Sequence, residues 1–431
     1  MFNWDAGTVK LAVVTFMAAW AALLANRNIA VYHDGIRPIM GEYISSRMKK
    51  GELIAISFAM SFGLIVGFGI PFSLASQVIL IHTILLGTDV IGIMSPGAVA
   101  AFLFGGLYGF GIVTGLDSVV ALFKSMPVDI MDNMSLIGTP IVVSFSVLPA
   151  LTVAYQFGGK RGLLTLTASL LARLAIGKIN PVMIAGSKVN ISADGMALAV
   201  GMIFLISYAI AASRKNAAER PAESATAALF SDNAERIRKN MLSLLVMGAL
   251  ISLGASLHII GGSPMDVTFL SQNQVTEATM IAFLKIIGYI PLVVTTGLVS
   301  GVWASGGICD WLFGLGYMVP PLFAPLVGAV GMAIEVFGLK YLATLLDRYP
   351  ELRNSGDHIR TAMTQLLEVA LLVGGVMAAN AMAPSFGIFV AAGLYVLNII
   401  AGAPVVKMAV GPLSAILVGI LVNLFSLLHL V

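Results

Sequence analysis

Long apolar runs, separated by short polar stretches, dominate the chain. Most are close to the roughly 20 residues that a helix needs to cross a bilayer. Apolar and polar positions do not alternate with a period of two, so the runs predict helices and exclude a transmembrane barrel. The runs cover approximately residues 8–26, 53–71, 73–95, 97–116, 136–157, 162–177, 194–212, 241–260, 276–300, 302–318, 320–345, 361–380, 384–402 and 409–430.

Three of these runs are short, or are interrupted by glycine and polar residues: 73–95, 162–177 and 302–318. Such segments are typical of re-entrant or broken helices, which are tolerated at membrane depth only inside protein or beside a wet cavity. The pattern therefore predicts an all-α, polytopic transmembrane helical bundle of about 10 to 14 spans, with broken or re-entrant helices.

Composition narrows the class further. Of the 431 residues, 58% are hydrophobic and only 10% are charged, against roughly 25% charged residues in soluble domains. So few charges exclude a soluble enzyme and a nucleic-acid-binding protein. The single cysteine, Cys309, excludes a disulfide scaffold.

Basic residues predict the orientation, because Lys and Arg accumulate in cytoplasmic loops. One alternating path puts four basic stretches on the cytoplasmic side of the membrane and both termini on the opposite side; Lys178 and Lys188 are its exceptions. The inside stretches are 27–50, 160–161, 213–240 and 348–360.

The longest polar stretch, 213–240, predicts a cytoplasmic linker between a first transmembrane half (1–212) and a second half (241–431). A short pattern, acid-x-Ile-Arg-x-x-Met, begins at Asp34, Glu235 and Asp357. Two interpretations stay open: repeat ancestry, or a recurring interfacial turn in which arginine reaches the headgroups.

Several ionisable residues lie inside the apolar runs, where a charge needs a partner or a polar cavity. Glu335 and Glu368 are the deepest, and we expect them to couple transport to H⁺ or Na⁺. We expect Arg173 and Lys285 to contact an anionic solute. The alternative is that these groups form internal ion pairs that hold helices together.

Two segments combine proline, glycine and hydroxyl residues, 137–150 and 287–307, and paired interrupted segments point to a transporter's binding site. Close helix packing through small residues explains the same pattern. The candidate solute site is completed by Asp89, Asp129, Thr295, Thr296 and Ser300.

The sequence contains no phosphate-binding loop of the form GxxxxGK[ST], and its five histidines are scattered. No metal site or cofactor is therefore expected. No nucleophile or metal constellation favours an enzyme.

Five stretches resemble the YhfT family of bacterial inner-membrane proteins: AVYHDGIRPIM (30–40), LLGTDVIGI (85–93), MPVDIM (126–131), RYPELRNSGDHIRTAMTQLLEVALLVGG (348–375) and APVVKMA (403–409). The resemblance implies a transporter, and the family's gene neighbours, which resemble phosphotriesterases and pyridoxal-phosphate enzymes, imply uptake of a small organic metabolite. The matching positions are His33, Asp34, Arg37, Asp89, Asp129, Arg173, Glu335, Glu368 and Lys407; Asp132 and Asp310 do not match.

The loop HDGIRP has two interpretations. In the first, the loop forms a cytoplasmic gate, or a latch that binds another loop, through His33, Asp34 and Arg37. In the second, Asp34 and Arg37 pair within an interfacial turn.

The sequence as a whole favours a secondary active transporter of a small polar, anionic organic solute, coupled to H⁺ or Na⁺ and working by alternating access around a midplane site. Its expected partners are the solute, the coupling ion, the bilayer and, as in carriers with a moving bundle, a second copy. The alternatives are a phosphotransferase-type permease subunit and an intramembrane enzyme that acts on a lipid-borne substrate.

Overall fold

A computed structural model describes residues 6–184, 187–189, 191–215, 225–306 and 311–428 of the chain. In its first half, helices are interrupted by two-residue and three-residue extended segments. These elements are α1 (Ala6–Asn26), α2 (Ile36–Ile44), α3 (Lys50–Leu64), α4 (Ile70–Ser76), β1 (Ile79–Leu80), α5 (Ile81–Met94), α6 (Ala98–Lys124), α7 (Ile130–Met134), α8 (Gly138–Phe157), α9 (Gly159–Ile179), β2 (Val182–Ile184), β3 (Ser187–Val189) and α10 (Ala193–Lys215).

Within its described residues, the second half consists of helices and one two-residue strand. They are α11 (Ala225–Lys239), α12 (Met241–Ser256), β4 (Ile260–Gly261), α13 (Pro264–Ser271), α14 (Val275–Leu284), α15 (Ile286–Ser300), α16 (Trp311–Met318), α17 (Ala324–Arg348), α18 (Pro350–Met382), α19 (Phe386–Ile400) and α20 (Lys407–Leu427). Helix α11 occupies part of the predicted linker, and residues 216–224 of that linker lie outside the described residues. The boundaries of the two halves stay a prediction.

The predicted all-helical membrane architecture is confirmed. Within the described residues, eight helical stretches are long and apolar enough to cross a membrane, and the bent pair α11–α12 would add a ninth. Shorter apolar helices account for much of the difference from the 10 to 14 predicted spans. The eight stretches are Ala6–Asn26, Ala98–Lys124, Ile130–Phe157, Gly159–Ile179, Ala193–Lys215, Ala324–Arg348, Pro350–Met382 and Lys407–Leu427.

Two expectations about broken helices were wrong. The run 162–177 lies within an unbroken helix, α9, and the segment 138–157 is the continuous helix α8 although Pro149 lies inside it. A Cβ atom on Gly201 of α10 would lie 2.8 Å from the Pro149 ring, so a neighbouring helix packs closely at the site of the proline. Such packing is what allows proline inside a membrane helix.

The helices pack in two groups. In the first group, α1 packs against α5, α6 and α12, and α12 packs against α16 and α17. In the second group, α8 packs against α9, α10 and α18, and α18 packs against α19 and α20. Helices α13 and α15 bridge the groups by contacting α8 and α18, respectively.

Extended segments from the two halves cross each other in pairs. Strand β1 pairs in parallel with β4, and Ala30 forms a parallel bridge with Trp303. The bonding is equivalent at both crossings: the Ile79 N–H donates to the Ile259 carbonyl at 2.9 Å, and the Trp303 N–H donates to the Ile29 carbonyl at 2.9 Å.

Left-handed residues form the corners that lead into these crossings. Asn28 and His258 both have φ of +54° directly after α1 and α12, and Gln77 (φ +57°) and Gly301 (φ +67°) end α4 and α15. A left-handed residue ends a helix by redirecting the backbone. In each half, two such turns thus end a helix, and an extended segment follows each turn.

Glycines on one face of α6 allow close approach to α1. A Cβ atom on Gly105 would lie 2.5 Å from the Ala22 Cβ atom, whereas one on Gly111 of the same helix would meet nothing within 4 Å. We expect Gly105→Val to lower the free energy of unfolding by about 1–3 kcal/mol through overpacking. Thermal melts of the purified protein test this, with Gly111→Val as the matched control; equal melting temperatures would contradict it.

Candidate functional site

A buried carboxylate holds the backbone at the Ala30–Trp303 crossing. Asp89, on α5, is 1% exposed. Its two oxygens accept hydrogen bonds from the backbone N–H groups of Tyr32 at 3.1 Å and His33 at 2.8 Å. The carboxylate therefore pins the chain where the extended segment ends, a task that only an acceptor can perform.

A buried arginine holds the same crossing from the other side. Arg37, in the first turn of α2, is 1% exposed. Its Nε atom donates to the Thr296 hydroxyl at 2.7 Å, and its Nη1 atom donates to the carbonyls of Val31, at 3.2 Å, and Tyr32. Arg37 thus ties the first-half segment to α15 of the second half.

The second crossing has its own buried carboxylate. Asp266, on α13, is fully buried and accepts the N–H groups of Gly262 at 3.0 Å and Ser263 at 2.8 Å. The Tyr317 hydroxyl donates to the same carboxylate at 2.8 Å. In each half, therefore, a carboxylate binds two successive peptide N–H groups just after the extended segment.

Lys285 pairs with this second carboxylate. It is fully buried at the break between α14 and α15, and its Nζ atom lies 3.2 Å from Asp266 Oδ1 and also bonds the Ser263 hydroxyl. A buried ion pair is stable only when hydrogen bonds satisfy both partners, and this cluster supplies them.

Two aromatic side chains lie between the crossings. The Tyr32 hydroxyl is 3.1 Å from the His82 Nε2 atom, and the two rings meet edge to face with centroids 5.1 Å apart. His82, in the first turn of α5, lies close enough to Asp34, Asp266 and Lys285 to interact electrostatically with their charges. Part of the His82 surface stays accessible.

The loop residue Asp34 reaches the second group of helices. Its Oδ2 atom accepts the Arg360 Nε atom of α18 at 2.6 Å, and its Oδ1 atom is 3.7 Å from His33 Nδ1. Burial alone would raise the pKa of the Asp34 carboxyl, but His33, Arg360 and Arg37 outweigh burial and hold that pKa below its usual value. Asp34 therefore stays ionised and joins the two helix groups.

The structure thus brings together six of the predicted site residues. These are His33, Asp34, Arg37, Asp89, Lys285 and Thr296. Thr295 and Ser300 are close in sequence, but their hydroxyls bond carbonyls of their own helix, those of Pro291 and Thr296.

Four other candidates bond elsewhere. Arg173 pairs with Asp194 at 2.7 Å and is 39% exposed, and Asp129 caps α7 by accepting the Met131 N–H at 2.7 Å. Glu335, 3% exposed on α17, accepts the Trp311 indole N–H at 2.7 Å. Glu368 on α18 accepts the Tyr395 hydroxyl at 2.8 Å, with Lys407 at 3.7 Å. Their roles stay predictions.

Sequence reasoning missed three residues of the site: His82, Asp266 and Arg360. Asp266 had a signal, because Ser263-Pro264-Met265-Asp266 is a capping box, in which a serine and an acid three residues on bond each other's backbone. Arg360 lies in a basic stretch that predicts only the orientation of the chain in the membrane. His82 is a lone histidine, so no spacing to a second polar residue marks it as part of a site. Within the described parts of the chain, no group of three metal-ligating side chains occurs.

The fold and the buried charges define a polytopic helical membrane protein whose two halves cross at a polar centre. The sequence matches, over residues 10–431, the model of the YhfT family, described as "protein of unknown function", and the chain belongs to this family. It is 32% identical to the uncharacterized protein YhfT of Escherichia coli (strain K12) over 435 residues, 98% of each chain. No solved structure matches it.

Proposed function

We propose that this protein is a secondary active transporter of a small polar, anionic organic solute. The observation that carries the proposal is the pair of crossings, where extended segments and helix ends of both halves meet around buried charged side chains. Interrupted helices that meet in this way are the usual solute site of transporters, because free backbone groups and helix ends can then face the solute.

Alternating access would use the two groups of helices. The crossings belong to the group that contains α1, α5, α12 and α16, and α8 and α18 form the centre of the other group. A rocking motion of one group against the other would expose the crossings first to one side and then to the other.

Several finer features belong to the same proposal. Glu335 and Glu368 would carry the coupling H⁺ or Na⁺, and the buried cations Arg37 and Lys285 would favour an anion near the crossings. The protein would lie in the bacterial inner membrane with both termini in the periplasm, and two copies would form a dimer. The basic stretches support this orientation.

Alternating access can be tested before the solute is known. Cys309 is the only cysteine in the sequence, so Cys309→Ser gives a background for paired spin labels at Arg47→Cys, beyond α2, and Asn354→Cys, on α18. We expect two distance populations whose ratio changes with pH or Na⁺. A single distance, unchanged by both conditions and by every solute tested, would contradict the proposal.

Proteoliposome uptake tests the coupling. A panel of radiolabelled lactate, glycerate, succinate and gluconate, each with an imposed pH or Na⁺ gradient, should reveal gradient-driven accumulation. Glu335→Gln and Glu368→Gln should abolish accumulation. The control is Glu42→Gln, which removes the charge of an exposed glutamate that pairs with Arg47. Unchanged accumulation in both glutamine variants would remove the coupling assignment.

A further inference from the structure

Four buried polar side chains near the Ala30–Trp303 crossing have no hydrogen-bond partner within the described residues. They are Ser57 and Ser61 of α3 and Trp303 and Ser305 of the extended segment 302–306, each at most 1% exposed. A buried donor without a partner bears the full cost of leaving water. Such a group in a native protein calls for an explanation, and a missing ligand is one.

Packing brings α3 and the segment 302–306 to the same region. Leu53 and Met60 of α3 belong to one hydrophobic cluster with Val302 and Ile36. His33, held by Asp89, also lies close to the Met60 backbone. Helix α3 and the segment 302–306, which carry the unpaired atoms, therefore pack in the region where Arg37 and Asp89 fix the backbone.

The β1–β4 crossing provides an internal comparison. There the Ser73 hydroxyl donates to the Gly69 carbonyl and accepts the Leu80 N–H at 2.9 Å, and the Ser263 hydroxyl bonds Asp266 and Lys285. The hydroxyl groups of that crossing are satisfied by protein atoms. Of the two crossings, the Ala30–Trp303 crossing is therefore the one near which described hydroxyl and indole groups lack a protein partner.

The chemistry of the four groups selects the kind of ligand. An indole N–H can only donate, and hydroxyls donate readily. The nearby carboxylate, Asp89, already accepts two N–H groups, and Arg37 is the buried charge beside it. The region is therefore rich in donors and has a buried cation, a set that suits an acceptor-rich anion and disfavours a cation.

We infer that Ser57, Ser61, Trp303 and Ser305 form the solute-binding surface of the transporter and that they bind the carboxylate of a small organic anion. This inference rests on the proposed transport function and adds residues and a ligand class to it. The solute reaches these groups when the two helix groups separate, and its oxygens take the donors that the closed protein leaves unpaired.

Substitutions that delete only the polar atom separate binding from structure. Ser305→Ala removes only the hydroxyl oxygen and should leave the melting temperature unchanged or raise it, because that hydroxyl has no protein partner among the described residues. Trp303→Phe also removes ring atoms from the core and leaves a cavity, so its effect is measured on binding and not on stability. In the same variants, the concentration of lactate or succinate that gives half-saturation should rise about tenfold, because each variant loses one hydrogen bond to a charged acceptor. Glycerol and choline serve as neutral and cationic probes that should not bind.

Matched controls exist on neighbouring helices. Trp20→Phe and Ser252→Ala remove donors that bond carbonyls, those of Ser243 at 3.0 Å and Leu312 at 2.8 Å. These variants should lower the melting temperature and leave half-saturation by carboxylates unchanged.

Three results would overturn the inference while leaving transport intact. The first is a fall in melting temperature for Ser305→Ala equal to that for Ser252→Ala. The second is an unchanged half-saturating concentration of carboxylate in Trp303→Phe and Ser305→Ala, and the third is binding of choline in place of carboxylates. Density for ordered water alone at these atoms, in a sample saturated with a carboxylate that the protein transports, would also overturn it. A protein that shows neither two distance populations nor uptake would instead contradict the proposed function.

Discussion

Lys285→Met is expected to lower the free energy of unfolding by about 3–5 kcal/mol, the usual effect of leaving one charge of a buried ion pair without its partner. The Asp266 carboxylate would keep the N–H groups of Gly262 and Ser263 and the Tyr317 hydroxyl, but it would lose its cation at 3.2 Å. Both side chains are fully buried, so water cannot replace the lysine. Thermal and denaturant melts of the purified protein measure the change.

The double variant Lys285→Met with Asp266→Asn should recover part of the loss, because it leaves no uncompensated charge. Arg47→Met, which breaks the exposed pair with Glu42, is the control and should change stability by less than about 1 kcal/mol. If Lys285→Met melts like the unsubstituted protein, the buried cluster does not hold the second crossing together.

The sequence predicts the helices of this fold well because membrane spans are long, apolar and continuous. It predicts the interruptions only in part: the runs 73–95 and 287–307 contain breaks, whereas 162–177 and the helical part of 137–150 do not. Strands β1 and β4 are two residues long, and their isoleucine, leucine and glycine are equally common in membrane helices. Only left-handed corners such as Gln77 and His258 mark the breaks, and neither residue type requires that conformation.

The site was accessible to sequence reasoning in part. A charge in an apolar run is a strong signal, and it directs attention to Asp89 and Lys285, which the structure places at the crossings. Their partners could not be predicted, because long-range folding creates the contacts: Arg37 bonds Thr296, 259 residues further along the chain. Glu335 carried the same signal, yet its bond to Trp311 lies outside the crossings.

The ion pair between Asp34 and Arg360 should act as a latch between the two helix groups. It joins the loop before α2 to α18 at 2.6 Å, and its side chains are 25% and 34% exposed, so separation of the groups would release both into water at low cost. We therefore expect Arg360→Asp, which replaces attraction by repulsion, to shift the distance distribution between labels at positions 47 and 354 toward the longer population. A change of about 1.4 kcal/mol corresponds to a tenfold change in the ratio of the two populations.

Gradient-driven uptake should fall with this shift, since a carrier held open on one side cannot complete its cycle. The exchange Asp34→Arg with Arg360→Asp should shift the distribution back toward the shorter distance, because the two charges attract again; the recovery should be partial, since Arg37 then repels the arginine at position 34. Asp357→Asn is the matched control: Asp357 also contacts Arg360, at 3.4 Å, but it lies on the same helix and is 85% exposed. Its loss should leave both the distances and uptake unchanged. If the exchanged pair stays in the longer population while Asp357→Asn behaves like the unsubstituted protein, Asp34 and Arg360 hold the local fold and do not form a latch between the groups.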